Sequence, residues 1–301
     1  MKKIYTIDDN YVDTRLDRWF KKVIEHAPQS FIEKNLRKGN IKVNNKKVKN
    51  SYKLQLNDKI VLFNIKFTKK KQFSRKEYYN PTKKEVNYSS DLFIHSNNDF
   101  VVLNKPSGIA VQSGTKSKRN ILDILRKTKE FIGSMPYPVH RIDKETTGVL
   151  IVAKNRKYAQ LFTSLFRIRK INKTYLCIVV GEFQNKSGTF VDNLIHYEGD
   201  KKTFVKAITH FEVIDSNNNF SLLKLNPETG RKHQLRKQLL IHGYPVLGDN
   251  KYRLSLNKKK GELMLHAYKI NFSINDVKYN FLAKPHEPFI KTLKEKYLKI
   301  S

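Results

Sequence analysis

The chain has 301 residues and a formal net charge of +33, because 60 Lys and Arg stand against 27 Asp and Glu. This excess of cations predicts a polyanionic partner, and we expect a nucleic acid, bound with strong salt dependence. A coding bias toward Lys, Asn and Ile is an alternative source of the charge, but it does not explain why acids are scarce. The hydrophobic fraction of 39% is sufficient for a buried core, and the length predicts about two domains.

Cysteine usage and hydropathy narrow the cellular setting. Cys177 is the only cysteine, so a disulfide within the chain and a zinc site built from thiolates are excluded. The N-terminal segment has no apolar signal core, and no window approaches the ~18 apolar residues of a membrane helix. We therefore expect a cytoplasmic protein with no membrane association.

Two short basic helices are predicted near the N-terminus. Between Thr14 and Ile24 the apolar residues fall at helical spacing and Lys or Arg fill most other positions, which predicts an amphipathic helix. A second helix is predicted from Ser30, where Ser30 and Glu33 form a capping-box pattern. It is expected to end at Gly39, which suits a left-handed C-cap.

Small strands are predicted at residues 41–43 and 54–62, and the first domain is expected to cover residues 1–65. Two basic helices followed by a small sheet, with Lys-Gly-Asn-Ile-Lys-Val-Asn-Asn-Lys at 38–46, resemble the alpha-L RNA-binding module of a small-subunit ribosomal protein. The resemblance implies a basic face for phosphates, formed by Arg15, Arg18, Arg37, Lys38 and Lys42. A structural cap with a solvated basic face is the alternative.

A basic linker is expected at residues 66–90, where the sequence is Lys-rich, lacks apolar periodicity and contains Pro81. Residues 91–301 alternate helix and strand patterns and are expected to form one mixed domain. Asn120 and Asn155 are predicted to cap helices, and Asn275-Asp276 to form a hairpin turn. Strands are predicted at residues 100–103, 174–180, 207–214 and 221–226, and a closing helix at 289–297.

Asp143 is the candidate for chemistry in this second domain. It lies between the cationic Arg141 and Lys144, on a loop that Gly148 helps to turn. The apolar run at residues 149–152 follows directly and predicts a buried strand that anchors the loop. A carboxylate held in this way can act as a nucleophile.

Three segments carry a family resemblance: His-Arg-Ile-Asp at 140–143, Lys-Thr-Tyr at 173–175, and Thr-Gly-Arg-Lys-His-Gln-Leu-Arg at 229–236 with its continuation to 249. Together they resemble the RluA-type pseudouridine synthases. The segment at 104–112 resembles the RluC-like members that act on large-subunit ribosomal RNA. The resemblance implies an α+β fold with a central, largely antiparallel sheet and a cleft. It also implies an enzyme that isomerises specific uridines of RNA to pseudouridine without a cofactor or a metal.

The resemblance further implies roles for individual residues. Asp143 corresponds to the catalytic aspartate, which attacks either carbon six of the uracil or the anomeric carbon of the sugar. Tyr175 corresponds to the tyrosine that stacks on the target base and can help to remove the carbon-five proton, and Arg236 to the basic residue that pairs with the aspartate. Arg141 corresponds to the residue that fills the gap left by the extruded uridine. Pocket or phosphate contacts, with a structural role as the alternative, are expected for Lys105, Arg231, His233 and Gln234.

The sequence departs from the family pattern at three positions. Lys237 and Gln238 stand where the family usually has Val-His, and Thr147 stands where serine is commoner. These changes lie beside the expected acid–base residues and not among them. We expect them to affect local packing and RNA contacts.

Two other interpretations remain open. A synthase of the same family could act on transfer RNA, and a catalytically silent RNA-binding protein would have the same charge. The silent protein has no reason to keep Asp143, Tyr175 and Arg236 together. RNA is the expected partner, no obligate protein partner is implied, and histidines 233, 242 and 266 match no zinc spacing.

Overall fold

The chain divides into two units, Met1–Glu77 and Tyr78–Ser301, each with hydrophobic core of its own. The structure, a computed structural model, describes residues 2–24, 27–65, 79–113, 118–198, 201–254 and 261–300. None of the helices in these ranges is long and apolar enough to span a bilayer.

The first unit combines two short helices with a three-stranded antiparallel sheet. In chain order its elements are β1 (Lys2–Thr6), α1 (Leu16–Trp19), a π-helical turn (Phe20–Ile24), α2 (Gln29–Lys38), β2 (Ile41–Val43) and β3 (Lys59–Phe63). The strand order is β1-β3-β2. Leu16, Phe20 and Leu36 share one core with Ile41 and Ile60, because their helical spacing turns them to the same side.

The structure confirms both predicted helices, the strand β2 and the helix end at Gly39, whose φ of 76° lies in the left-handed region. The capping box predicted at Ser30 and Glu33 is wrong. Helix α2 follows Pro28, which has no side-chain acceptor, so Ser30 lies inside the first turn. Glu33 instead accepts a hydrogen bond of 2.8 Å from the side-chain amide of Asn50.

The second unit is built on one ten-stranded sheet. Its strands are β4 (Phe93–Ser96), β5 (Phe100–Lys105), β6 (Tyr137–Pro138), β7 (Thr147–Ala153), β8 (Asn172–Val180), β9 (Ser187–Glu198), β10 (Lys201–Asn217), β11 (Phe220–Pro227), β12 (Leu265–Ile274) and β13 (Val277–Leu282). The order is β4-β5-β7-β12-β8-β11-β10-β9, with β6 on β7 and β13 on β12. Only β7 and β12 pair in parallel among these strands, so the expected largely antiparallel sheet is confirmed.

Helices cover parts of this sheet, and their ends follow local sequence signals. They are α3 (Lys83–Ser89), α4 (Ile121–Leu125), α5 (Arg156–Arg167), α6 (Gln234–Ile241) and α7 (Glu287–Glu295). Asn120 and Asn155 cap α4 and α5, as predicted, by accepting hydrogen bonds from backbone N–H groups. The predicted turn at Asn275 and Asp276 joins β12 to β13 with positive φ at both residues.

The structure differs from the predicted linker in its second half, while residues 66–78 lie outside the described residues. Helix α3 begins with a reciprocal capping box in which Thr82 and Glu85 exchange hydrogen bonds. Glu85 also accepts hydrogen bonds from the Tyr79 hydroxyl and from Arg119, at 2.7 Å for the latter. These contacts attach residues 79–90 to the second unit. The Thr-Lys-Lys-Glu signal at 82–85 stood in the sequence and was missed.

The parallel pairing of β7 with β12 positions the loop that carries Asp143. Ala267 pairs with Gly148 of β7 on one side and with Tyr175 of β8 on the other. Gly148 has a φ of 105°, and a Cβ at this position would collide with the backbone of Ala267. Glycine is therefore required here for both conformation and space.

Replacing Gly148 by Ala tests this requirement. We expect the free energy of unfolding, measured with urea, to fall by about 2 to 4 kcal/mol because the strand must move away from Ala267. Gly133→Ala is the matched control, since Gly133 also has a positive φ of 73° but no described atom lies within 4 Å of its added Cβ. That control should lose about 1 kcal/mol. Equal losses would show that the approach to Ala267 is not what selects glycine.

Candidate active site

The loop that carries Asp143 is anchored from below by a buried lysine. The ammonium of Lys105 donates hydrogen bonds to the carbonyls of Pro106, Ile109 and Lys144, at 2.8 to 3.0 Å. Burial lowers the pKa of Lys105 to about 7, against the opposing charges of Glu145 and Asp143. Three acceptors use all three ammonium protons, which a neutral amine could not supply. The hydrogen bond to the Lys144 carbonyl therefore holds the loop one residue away from Asp143.

A cavity of about 710 Å³ opens above this loop. It is bounded by the segment before β7, the end of α5, strand β8 and the segment before α6. Of the predicted site residues it contains Asp143, Tyr175, Arg236, Arg141, Arg231, His233 and Gln234. Seven Lys or Arg side chains line it against two carboxylates, those of Asp143 and Glu228; the cations are Arg141, Arg167, Arg169, Lys173, Arg231, Lys232 and Arg236.

Arg236 lies between two carboxylates at the centre of the cavity. Its Nη1 donates to Oδ2 of Asp143 at 3.2 Å. Its Nε and Nη2 donate to the two oxygens of Asp249 at 2.6 and 2.7 Å, a bidentate pair. Asp249 also accepts hydrogen bonds from the backbone N–H groups of Lys251 and Tyr252. The guanidinium is thus fixed by Asp249 and presents its remaining edge to Asp143.

Burial and charge oppose one another in this cluster. Burial by itself lowers the pKa of Arg236, but hydrogen bonds and charge from Asp249 and then Asp143 leave that pKa above its usual value. Burial by itself raises the pKa of Asp249, but hydrogen bonds from Arg236 and from the backbone N–H groups of Tyr252 and Lys251, with the charge of Arg236, leave that pKa lowered. Both groups are therefore charged in the neutral pH range.

His233 approaches Asp143 from the other side. Its Nε2 lies 3.7 Å from Oδ1 of Asp143, and its Nδ1 is 2.9 Å from the hydroxyl of Tyr252. The Tyr252 ring also lies under the Arg236 guanidinium, at 5.1 Å from its centroid. Burial is the main cause of a lowered pKa at His233. Asp143 thus has a guanidinium at one oxygen and an imidazole near the other.

Tyr175 supplies an aromatic wall beside the acid. It lies on β8, is half-buried and packs against two core clusters of the second unit. Burial, and secondly the charge of Asp143, raise the pKa of its hydroxyl, so the phenol stays neutral. A carboxylate, a fixed cation and an aromatic ring therefore share one solvent-reaching cavity.

Comparison with known proteins decides the family. A family model described as RNA pseudouridylate synthase matches residues 99–240. Ribosomal large subunit pseudouridine synthase C of Vibrio vulnificus is 31% identical over 284 residues, which covers 90% of this chain and 88% of that protein. The chain belongs to the pseudouridine synthase family. The predicted resemblance is thereby confirmed, and the protein is an RNA pseudouridine synthase, an isomerase.

Other relatives agree with this assignment. The protein of the same name from Buchnera aphidicola subsp. Baizongia pistaciae is 31% identical over 291 residues, covering 92% of this chain and 91% of that protein. The solved structure of human RNA pseudouridylate synthase domain containing 4 aligns with a TM-score of 0.62 and 24% identity. It covers 72% of this chain and 98% of that one, and it supports the fold of the second unit.

Two residues that were predicted to contact the substrate, Lys105 and Gln234, form hydrogen bonds within the synthase itself. Lys105 is fully buried, outside the cavity lining, with its ammonium used by backbone carbonyls. Gln234 reaches the cavity but is only 5% exposed. Its side-chain oxygen accepts hydrogen bonds from the Thr229 hydroxyl and the Arg231 backbone N–H, and its side-chain nitrogen donates to the Ile208 carbonyl. Lys105 shapes the Asp143 loop, and Gln234 shapes the loop before α6.

Arg141 and Arg231 are exposed side chains of the synthase's cavity. Arg231 donates from Nε to the carbonyl of Lys206, which leaves its terminal nitrogens for other partners. The two departures on α6 point away from the acid. Gln238 is buried; its side-chain amide donates a hydrogen bond to Asp192 and accepts one from Thr209. The Lys237 ammonium donates to the Ile195 carbonyl.

The third departure, Thr147, takes part in packing. Its hydroxyl lies 2.8 Å from Nδ1 of the fully buried His266, whose Nε2 is 2.9 Å from the carbonyl of Ala283. Since a carbonyl only accepts, Nε2 carries the proton and Thr147 donates to Nδ1. Burial lowers the pKa of His266 to about 4. This histidine is therefore structural.

Asp249 is the residue that the sequence reasoning missed, although it ends the third segment of the resemblance. Asp249→Asn keeps its size but removes the charge that fixes Arg236. We expect the single-turnover rate of pseudouridine formation to fall about 10- to 100-fold, because the cation that orients Asp143 can rotate. RNA affinity should change less than about threefold.

Asp123→Asn is the matched control, since Asp123 is also buried and ion-paired, 3.2 Å from Arg126, but lies outside the cavity. Both variants should lose about 3 kcal/mol of unfolding free energy. Only Asp249→Asn should lose rate. Wild-type turnover in Asp249→Asn would exclude an orienting role for this acid.

Proposed function

We propose that this synthase converts uridines of large-subunit ribosomal RNA to pseudouridine, with Asp143 as the nucleophile. The substrate class rests on two relatives named ribosomal large subunit pseudouridine synthase C, which align with 90% or more of this chain. The net charge of +33 supports a polyanionic substrate. The observation that carries the catalytic assignment is the sharing of one cavity by Asp143, Arg236 and Tyr175. We also propose that the protein acts in the cytoplasm.

The reaction moves one bond of the uridine. The bond between the sugar's anomeric carbon and N1 breaks, a bond from the same carbon to C5 forms, and the C5 proton is exchanged for one on N1. Asp143 attacks C6 of the uracil or the anomeric carbon and is released as a free carboxylate at the end. Because Arg236 engages only Oδ2, the Oδ1 oxygen is available for this attack.

The other cavity residues position the extruded uridine. The Tyr175 ring offers a face on which any base can stack, an interaction of about 1 to 3 kcal/mol. Its neutral hydroxyl helps to remove the C5 proton by passing its own proton to solvent as it accepts that one. Arg141, exposed at the cavity, fills the space that the uridine leaves in the RNA. We assign the chemistry to residues 91–301 and the capture of RNA to residues 1–65.

The first unit supplies exposed cations for RNA capture. Arg18, Arg37 and Lys38 are exposed, whereas Arg15 is engaged by Asp17 at 2.7 Å and the Lys42 ammonium lies 5.5 Å from a Phe63 ring centroid. We therefore assign phosphate contacts chiefly to the three exposed side chains of this set. RNA binding by this unit raises local substrate concentration and takes no part in bond breaking.

Asp143→Asn tests the nucleophile. We expect the single-turnover rate to fall at least about 10⁴-fold while RNA affinity changes less than about threefold. Glu145→Gln, which removes the same charge from the same exposed loop, should keep the wild-type rate. Pseudouridine mapping of ribosomal and transfer RNA, in cells lacking the gene and complemented with each variant, identifies the target. Sites in transfer RNA alone would overturn the ribosomal assignment, and normal turnover in Asp143→Asn would overturn the nucleophile.

A triple variant, with Arg18, Arg37 and Lys38 each replaced by Gln, tests the capture role of the first unit. We expect KM for ribosomal RNA to rise about 10-fold and the single-turnover rate at saturating RNA to stay within about twofold. The control replaces three exposed lysines of the second unit, Lys278, Lys291 and Lys294, by Gln. An equal rise in KM for both variants would show that net charge alone, and not this surface, captures RNA.

A further inference from the structure

The Lys173 side chain has no assigned role, and its ammonium has no hydrogen-bond or ion-pair partner among the described residues. It lies on β8, is half-buried, and lines the same cavity as Tyr175. Burial, and secondly the nearby Arg169, lower the pKa of its ammonium. No carboxylate of the described chain pairs with it. A half-buried cation that faces a cavity beside another cation is costly unless an anion enters.

His140 adds a neutral donor next to this lysine. Its Nε2 accepts a hydrogen bond of 2.8 Å from the Ile151 backbone N–H, so the ring proton is on Nδ1. Burial, then the charge of Lys173, lower the pKa of His140 to about 3, so the ring stays neutral. The ring is held by stacking on Phe166 at 4.6 Å between centroids. Its Nδ1–H has no acceptor among the described residues.

Arg169 holds a strained backbone at the edge of the same cavity. It follows the last turn of α5 and has a φ of 59°, a conformation that glycine adopts without cost at helix ends. The chain uses glycine in this way after α2 and α6, at Gly39 and Gly243. Strain of this kind at a cavity indicates that the side chain is needed there.

We infer that Lys173, Arg169 and the Nδ1–H of His140 bind a phosphate of the RNA strand next to the target uridine. This inference rests on the proposed function and adds a subsite to it. Phosphate oxygens only accept hydrogen bonds and carry negative charge, which matches a cluster of two cations and one further N–H donor. Lys173 and Tyr175 are two residues apart on one face of β8, roughly 7 Å along the strand. That separation suits the stacked base and a backbone phosphate beside it.

One carboxylate lies near this subsite and does not fill it. Glu228 is 3.9 Å from Nη1 of Arg169, beyond hydrogen-bond distance, and it accepts a closer contact of 2.7 Å from His210. The Arg169 side chain is more than half exposed and keeps its donors for another anion.

The first experiment compares Lys173→Gln with Lys170→Gln on ribosomal RNA from cells lacking the gene. Lys170 is exposed, lies three residues away and does not line the cavity, so it controls for loss of one charge. We expect KM to rise about 10-fold for Lys173→Gln only, with kcat within about twofold. The slope of log affinity against log salt should fall by about one for this variant.

The second experiment separates strain from function. Arg169→Gly should leave the melting temperature unchanged or higher, because it relieves the left-handed conformation, and yet raise KM about 5- to 10-fold. Tyr297→Gly is the control: Tyr297 has a φ of 54°, follows α7 and is 89% exposed, away from the cavity. The Tyr297→Gly variant should show the same change in melting temperature as Arg169→Gly and an unchanged KM. A lower melting temperature with normal KM would make Arg169 merely structural.

The third experiment identifies the anion. Once mapping has located a uridine, a synthetic stem–loop carries one neutral methylphosphonate in place of each flanking phosphate in turn. At one position wild-type enzyme should lose about as much affinity as Lys173→Gln loses on natural RNA, and Lys173→Gln should lose nothing more. If wild type forms pseudouridine but no position behaves so, the subsite is wrong and the proposed function stands. If mapping finds no uridine whose modification depends on this gene, the proposed function fails and the subsite fails with it.

Discussion

The proposed catalytic centre depends on the shared guanidinium of Arg236. Two carboxylates compete for it, and the geometry divides its edges unequally: Asp249 takes two nitrogens and Asp143 takes one. Asp249 is also held by two backbone N–H groups, so it is the fixed member of the three. The Asp143 carboxylate accepts one hydrogen bond, from Arg236, and its other oxygen lies 3.7 Å from His233, beyond hydrogen-bond distance. A buried charge cluster of this kind contributes orientation more than stability, because desolvation offsets most of the Coulombic gain.

The close pairing of β7 with β12 brings the acid to the aromatic ring. Strands β7 and β12 run parallel within an otherwise antiparallel sheet, and they approach so closely that only glycine fits at Gly148. Ala267 is the common neighbour of Gly148 and Tyr175, so the register of three strands fixes how the Asp143 loop lies relative to the ring. Lys105 ties down the same loop from the opposite side through backbone carbonyls. Rigid backbone, and not side-chain contact alone, therefore sets how Asp143 lies relative to the Tyr175 ring.

The sequence predicted what short windows encode. Helix caps at Asn120 and Asn155 and the helix end at Gly39 depend on one side chain or one φ angle, and these agree with the structure. The family resemblance predicted the fold and the reaction. Roles that depend on distant contacts were not predictable: Asp249 pairs across 13 residues, and Lys105 meets a carbonyl 39 residues away. A lysine that reads as a phosphate contact in sequence can equally be a backbone clamp, and only burial distinguishes the two.

Backbone strain follows the distribution of function along this chain. Among the described residues, ten other than glycine have positive φ, and seven of these are Asn or Asp, which tolerate it. The other three are Arg169, His233 and Tyr297, and the first two line the cavity. His233 approaches Asp143 and Arg169 stands beside the unpaired Lys173. Glycine at either position would relieve the conformation but would remove a nitrogen donor from the cavity. At these two positions the strain thus accompanies a side chain beside Asp143 or in the proposed phosphate subsite, which links local conformational cost to the proposed substrate binding.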